Sequence, residues 1–112
     1  MILPLLIALA GDTPPDITRS VWTHLPTAAQ MTGVYPPRTE APATYDIDLR
    51  CRITDVAGHV RCIVVGESPA GYGVGAKLEA LFARLAVVDM QHTPGSAPGR
   101  IVVVHFRSEN GG

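Results

Sequence analysis

The clearest hydrophobic pattern in the chain is an alternation over residues 45–53. Every even position in this stretch is charged. The odd positions carry apolar side chains or cysteine: Tyr45, Ile47, Leu49, Cys51 and Ile53. A period of two residues predicts a strand with one buried and one solvated face. Residues 60–65 predict a second strand, and Gly58 between them suits a tight turn, so we predict a β-hairpin.

The C-terminal half predicts a helix followed by a strand. Apolar side chains recur along one helical face at Val74, Leu78, Leu81, Phe82 and Leu85. Residues 68–75 and 91–99 are rich in glycine and proline and predict loops, whereas residues 100–107 predict a β-branched strand. The predicted fold is therefore α+β with the order ββαβ. One main helix packs on a face of a three-stranded antiparallel sheet.

The first ten residues, MILPLLIALA, are almost wholly apolar. A membrane-spanning helix needs about 20 apolar residues, whereas the apolar region of a signal peptide has about 7–15 and ends at an A-x-A site. Ala8 and Ala10 supply such a site, although no Lys or Arg precedes the apolar run. We expect a periplasmic or secreted protein, or an inner-membrane-associated one if the true start lies upstream. The alternative is a buried N-terminal strand.

Residues 11–43 form a predicted spacer, because they contain most of the ten prolines in the chain. Thr27 and Gln30 match a capping box and predict a short helix within it. Apolar side chains such as Trp22 and Met31 indicate that the spacer packs partly on the domain. The predicted organisation is a signal-like segment 1–10, this spacer, a domain over 44–107 and a disordered tail over 108–112.

Composition limits the core and the partners. The chain of 112 residues is 46% hydrophobic and only 5% aromatic, which predicts a small aliphatic core. Its formal net charge is -1, so no strong field is available to attract a polyanion. We therefore predict that nucleic acid is not a partner.

Several motifs in order carry a family resemblance. They are Trp22-x-x-x-Pro26, Tyr35-Pro36, Cys51 with Cys62, Gly58-x-Val60, Glu67-Ser-Pro69-Ala-Gly71-Tyr-Gly73 and a last strand that ends in Phe106. Over roughly residues 22–107 the chain resembles the C-terminal domain of TonB-type energy transducers, in a branch with a two-cysteine hairpin. The stretches 87–90 and 94–98 depart from the family pattern. The resemblance implies a non-catalytic periplasmic module linked to TonB-dependent transport.

The expected mode of binding is strand addition, in which an extended protein or peptide segment pairs with an exposed sheet edge. The preferred edge is the last strand: Ile101, Val102, Val103, Val104, His105 and Phe106. Its four consecutive β-branched residues favour a continuous ladder of backbone donors and acceptors. The resemblance implies that the partner is an outer-membrane transporter. The alternative is a structural homodimer that pairs this strand with its own copy.

Cys51 and Cys62 lie on the two arms of the predicted hairpin. A register that pairs Ile53 with Val60 places them opposite each other, at Cα separations of about 4.5–5.5 Å, within the disulfide range. We predict a disulfide, with two buried free thiols as the alternative. The apolar residues of the second arm do not all share one face unless a bulge is present.

The catalytic motifs in the sequence are weak. The string from Gly71 to Ala76 matches G-x-G-x-x-A, but a dinucleotide site needs a parallel βαβ unit, so a flexible connection into the helix is favoured. Ser68, followed in sequence by Asp89 and His105, leaves an esterase-like hydrolase as a minor alternative, although Pro69 lacks the N–H that an oxyanion hole needs. The four histidines show no metal-ligand spacing. We predict no cofactor, no metal site and a solvated row of charges on the first strand.

Overall fold

The computed structural model describes residues 15–34 and 44–109. In chain order they form β1 (Trp22–His24), α1 (Ala28–Met31), β2 (Thr44–Ile53), β3 (Val60–Ser68), α2 (Val74–Leu85), β4 (Val87–Val88) and β5 (Ile101–Glu109). The signal-like segment 1–10, Tyr35, Pro36 and residues 110–112 of the predicted tail lie outside the described residues. Neither helix in the described ranges has both the length and the apolar character that a bilayer crossing requires.

Strand β2 is the centre of an antiparallel three-stranded sheet with the order β3, β2, β5. Its alternating sequence produces two faces, because successive side chains of a strand point to opposite sides. The apolar side chains on the inner face have no exposed surface: Tyr45, Ile47, Leu49, Cys51 and Ile53. The hairpin has the predicted register, with Ile53 opposite Val60 and Cys51 opposite Cys62.

The β2–β3 ladder contains a bulge. Leu49 pairs with Val64 and Asp48 with Gly66, so Val65 is an extra residue on β3. As a result, Glu67 pairs with the buried Ile47 and lies on the inner face of the sheet. A regular ladder would place Glu67 on the solvent face.

Helix α2 packs on the inner face of the sheet through Val74, Leu78 and Phe82, which are at most 2% exposed. Full burial of an apolar side chain of this size contributes about 1.5–3 kcal/mol. The helix comes close to β3 at Gly75, where a Cβ atom would lie 2.7 Å from Val64 Cγ2. Glu79 on the same helix accepts a 2.7 Å hydrogen bond from the Val64 N–H. Helix α2 therefore covers the inner face and also satisfies a backbone donor of β3.

The N-terminal part of the described chain packs on the same core. Strand β1 pairs with β4 in a second, two-stranded antiparallel sheet, and the Trp22 ring meets the Phe82 ring edge-on at a centroid distance of 5.9 Å. Ile17 and Val34 are buried in the core at 6% and 2% exposure. Helix α1 has the predicted capping box, formed by Thr27 and Gln30. Residues 15–34 are thus part of the folded unit.

The α+β class, the three-stranded antiparallel sheet and the single main helix are confirmed. The ββαβ order is not confirmed in detail, because β1 and β4 add a second small sheet. Strands of two and three residues are too short to produce a period of two in the sequence. Strand β5 also continues to Glu109, two residues beyond its predicted end at Arg107.

Candidate functional site

Strand β5 lies at one edge of the main sheet, and its hydrogen bonds show which backbone groups face outward. On the inward side, the Ile53 N–H donates to the Arg100 carbonyl at 2.9 Å. Backbone groups alternate in direction along an antiparallel strand, so the even-numbered residues of β5 face β2 and the odd-numbered ones face outward. Of the predicted edge residues, Val102, Val104 and Phe106 thus bond to β2. Ile101, Val103 and His105 present their backbone groups at the edge.

Part of this edge is covered by the segment 15–17. The Ile17 N–H donates to the Ile101 carbonyl and the Val103 N–H donates to the Ile17 carbonyl, both at 2.8 Å, in a parallel bridge. The Asp16 carboxylate forms a 2.9 Å salt bridge with Arg50, and the Arg100 guanidinium donates a 2.9 Å hydrogen bond to the Pro15 carbonyl. Ile17 therefore occupies the first half of the β5 edge.

The second half of the edge has outward backbone groups without partners among the described residues. After Ile17 the chain leaves the strand and forms β1, where Trp22 pairs with Val88. These groups include the Val103 carbonyl and the N–H and carbonyl groups of His105 and Arg107. Unpaired donors and acceptors of this kind form a template for pairing with another extended chain.

Charged side chains lie beside this open half, on the outer face of the sheet. His105 Nδ1 is 2.5 Å from an Asp48 carboxylate oxygen, and His105 Nε2 is 3.5 Å from Asp46. Arg107 lies 3.9 Å from the same Asp46 oxygen. The hydrogen bond to Asp48, with the nearby negative charges, raises the pKa of His105 above its ordinary 6.5, against smaller opposing effects of desolvation and of Arg107. His105 points away from the core, as its strand pattern predicts.

The predicted disulfide between Cys51 and Cys62 is confirmed, with a sulfur–sulfur distance of 1.97 Å. It joins β2 to β3 on the inner face, where the two residues are 0% and 7% exposed. The bond therefore holds the hairpin on which β5 is assembled and lies away from the open edge.

The residues of the hydrolase alternative are not brought together. Ser68 pairs with Asp46 at the end of β3, and its side chain is exposed. Asp89 instead binds His92 Nδ1 at 2.8 Å, and His105 is held by the two carboxylates of β2. The described contacts thus include no hydrogen bond that links Ser68, Asp89 and His105.

The glycine-rich string before α2 serves the packing of the helix. Gly73 is the N-cap residue, at a φ of 76°, which few non-glycine residues adopt. Gly75 donates its N–H to Glu67 Oε2 at 3.3 Å, and an added Cβ would collide with that side chain. This contact joins the end of β3 to the first turn of the helix, which is a tighter arrangement than the predicted flexible connection.

Two exposed histidines form local pairs with aspartates. His59 Nδ1 binds Asp55 and His92 Nδ1 binds Asp89, each at 2.8 Å, and each hydrogen bond lowers the pKa of its aspartate. Both aspartates also accept backbone N–H groups, three for Asp55. They stabilise the turns that follow β2 and β4. Within residues 15–34 and 44–109, no three His, Cys, Asp or Glu side chains converge to form a possible metal site.

Comparisons of the chain with protein-family models, with curated proteins and with solved structures find no match. The resemblance to the TonB C-terminal family remains a prediction from the sequence motifs. Within the described residues, the open half of β5 is the candidate binding site.

Proposed function

We propose that the chain is a non-catalytic protein-binding module that adds an extended partner segment to the open half of the β5 edge. The observation that supports this is the row of outward backbone groups from the Val103 carbonyl to Arg107. In strand addition, main-chain hydrogen bonds supply affinity and alternate side chains supply specificity. Ile17 already forms one parallel bridge on the same edge, so this backbone geometry accepts an added strand.

The side chains beside the edge favour a polar partner. Asp46, Asp48, His105 and Arg107 form a mixed network of both charges, more than 40% exposed at Asp48, His105 and Arg107. Such a network orients the bound partner and discriminates between partners more than it raises the binding affinity. The partner segment therefore presents polar or charged side chains on the side that faces this network.

The motifs that resemble the TonB C-terminal family give this proposal its biological setting. They favour a module of the cell envelope whose partner is an extended segment of an outer-membrane transporter. The Cys51–Cys62 disulfide supports an oxidising compartment, since such bonds persist in the periplasm and outside cells. Periplasmic location and a role in TonB-dependent transport belong to the same proposal.

The substitution His105→Pro tests the binding edge. His105→Pro removes one outward N–H and keeps the inward groups of Val104 and Phe106, and proline is tolerated on an edge strand in this orientation. With extended peptides from the periplasm-facing segments of outer-membrane transporters, we expect binding to weaken at least about tenfold, through the lost bond and the bulk of the ring. His105→Thr is the matched control, because it removes the imidazole and retains the N–H.

The outcomes separate the candidate functions. Equal peptide affinity in His105→Pro and the native chain, measured by titration calorimetry, contradicts strand addition at this edge. A dimer of the peptide-free chain that His105→Pro dissociates, detected by light scattering, favours the structural homodimer. Labelling of Ser68 by a fluorophosphonate probe supports the esterase-like alternative.

The compartment has its own test. The N-terminal residue of the chain in cells is determined by mass spectrometry after fractionation. Gly11 at the N terminus in the periplasmic or secreted fraction supports export, because cleavage after Ala10 is expected for the signal-like segment. A cytosolic chain that retains Met1 contradicts it.

A further inference from the structure

Two arginines on neighbouring strands form a cross-strand pair of like charges on the outer face of the main sheet. Arg52 on β2 lies directly opposite Arg61 on β3. The neighbouring basic side chains have acidic partners, since Arg50 binds Asp16 and His105 lies between Asp46 and Asp48. Among the described residues, neither Arg52 nor Arg61 forms a salt bridge. The two guanidinium groups thus share one end of this face, close to the hairpin turn.

This pair has an energetic consequence. Like charges directly opposite each other on neighbouring strands destabilise a sheet. A carboxylate bound between Arg52 and Arg61 removes that repulsion, and the planar guanidinium group suits bidentate contact with carboxylates. The arrangement is therefore unfavourable in isolation and favourable with an anionic ligand.

The surface around the pair is concave and partly apolar. On one side of it lies a depression of about 270 Å³, lined by Arg50, Arg52, Arg61, Ile63 and Ile101. On the other side lies a depression of about 450 Å³, lined by Arg52, Ile53, Thr54, Arg61, Pro98 and Gly99. Ile63 is 58% exposed, although it is a large aliphatic residue. Both depressions share the two arginines and are open to solvent.

We infer that this surface is a second binding site, which accepts an acidic segment of a protein partner with apolar side chains between its carboxylates. Charge complementarity selects the carboxylates, and Ile63 with Ile101 accepts the apolar side chains. A net charge of -1 for the whole chain gives no long-range attraction for nucleic acid, so recognition here depends on short-range contacts. The site lies at the opposite end of the sheet from His105 and Arg107, and it is independent of strand addition.

The test uses the full chain and an acetylated, amidated hexapeptide of alternating Glu and Leu as the probe. Binding is followed through the Arg Nε–Hε signals in nuclear magnetic resonance spectra. Arg52→Gln and Arg61→Gln each weaken binding about tenfold, since each removes a charge-assisted contact. Arg84→Gln, on the exposed side of α2, is the matched control and leaves binding unchanged. High salt weakens binding to the native chain.

A second measurement distinguishes a binding role from a structural one. In the free chain, Arg61→Gln raises the thermal midpoint, because it removes the repulsion from Arg52. A lowered midpoint in this variant, or unchanged peptide affinity in both variants, overturns the inference. Tighter binding of an RNA oligonucleotide or of anionic lipid vesicles than of the peptide overturns the assignment to a protein partner.

Discussion

Cys51 and Cys62 face each other across the β2–β3 ladder with their Cα atoms 3.9 Å apart. The backbone groups of Ile53 bond to Gly99 and Arg100, which lead into β5, so the odd-numbered residues of β2, including Cys51, turn their backbone groups away from β3. The cysteines therefore form a pair without mutual backbone hydrogen bonds, which is the closer of the two pair types in an antiparallel ladder. The hairpin register places the thiols within bonding distance.

Reduction of this bond is expected to destabilise the chain by about 2–3 kcal/mol, because the link closes a short loop of the unfolded chain, with a sequence separation of 11. The measurement is urea denaturation of the native chain with and without a phosphine reductant. Cys51→Ala combined with Cys62→Ala is the control, and its stability is expected to be independent of the reductant. A native chain with equal stability in both redox states contradicts a stabilising role.

Substitution of Gly58 is expected to be severe. Gly58 has a φ of 100°, and an added Cβ would overlap the Val88 carbonyl oxygen. We expect Gly58→Ala to lower the free energy of unfolding by more than about 2 kcal/mol, from strain and the displacement of β4. Gly71→Ala is the matched control, since Gly71 has a φ of 93° and nothing within 4 Å of the added Cβ. If both variants lose the same free energy of unfolding, backbone strain accounts for the whole effect and the contact with Val88 contributes nothing.

The main sheet is predictable from sequence because its signals are local. The alternation along β2 and the glycine at the turn define the hairpin, and with it the Cys51–Cys62 pair. The bulge is less predictable, because it leaves Ile63 and Val65 more than half exposed and does not place the apolar residues of β3 on one face. Strand β4, by contrast, has only two residues, and its pairing with Trp22 depends on contacts across the fold.

The candidate binding edge is only partly predictable, for a similar reason. The β-branched run marks β5 as a strand, and its pattern places His105 on the outer face. The bridge from Ile17 joins residues far apart in sequence, and the pairing of His105 with Asp48 depends on the β2–β5 register. A single sequence has no local signal for either contact, so neither the covered half of the edge nor the charge network was predicted.

The hydrogen bond between Glu79 and Val64 is expected to stabilise the contact between α2 and β3. Glu79→Ala leaves the Val64 N–H without this acceptor and is expected to cost about 1–2 kcal/mol. Glu79→Gln retains an acceptor oxygen and is expected to lose less. Chemical denaturation gives the free energies, and hydrogen exchange at the Val64 amide is expected to accelerate in the alanine variant. An unchanged exchange rate there would show that the bond does not protect the strand.

The charge network beside the binding edge is expected to make stability depend on pH. The pKa of His105 is raised in the folded chain, chiefly by its hydrogen bond to Asp48. The imidazolium therefore contributes stability that is fully present below its ordinary pKa of 6.5 and is lost as the pH rises through the higher folded value. Urea denaturation across this pH range gives the free energy of unfolding. As the pH rises, this free energy is expected to decline less for His105→Gln than for the native chain.

Substitutions of the groups around His105 are expected to shift the pKa of its imidazole by different amounts. The pKa is measured by nuclear magnetic resonance titration of the ring. Asp48→Asn is expected to lower the pKa of His105 most, because it replaces the charged carboxylate acceptor with a neutral amide oxygen. Asp46→Asn is expected to lower it less, since Asp46 acts only through its charge, and Arg107→Gln is expected to raise it. If Asp48→Asn leaves the pKa of His105 at its native value, the Asp48–His105 contact does not persist in solution. The pH dependence of stability must then have another source.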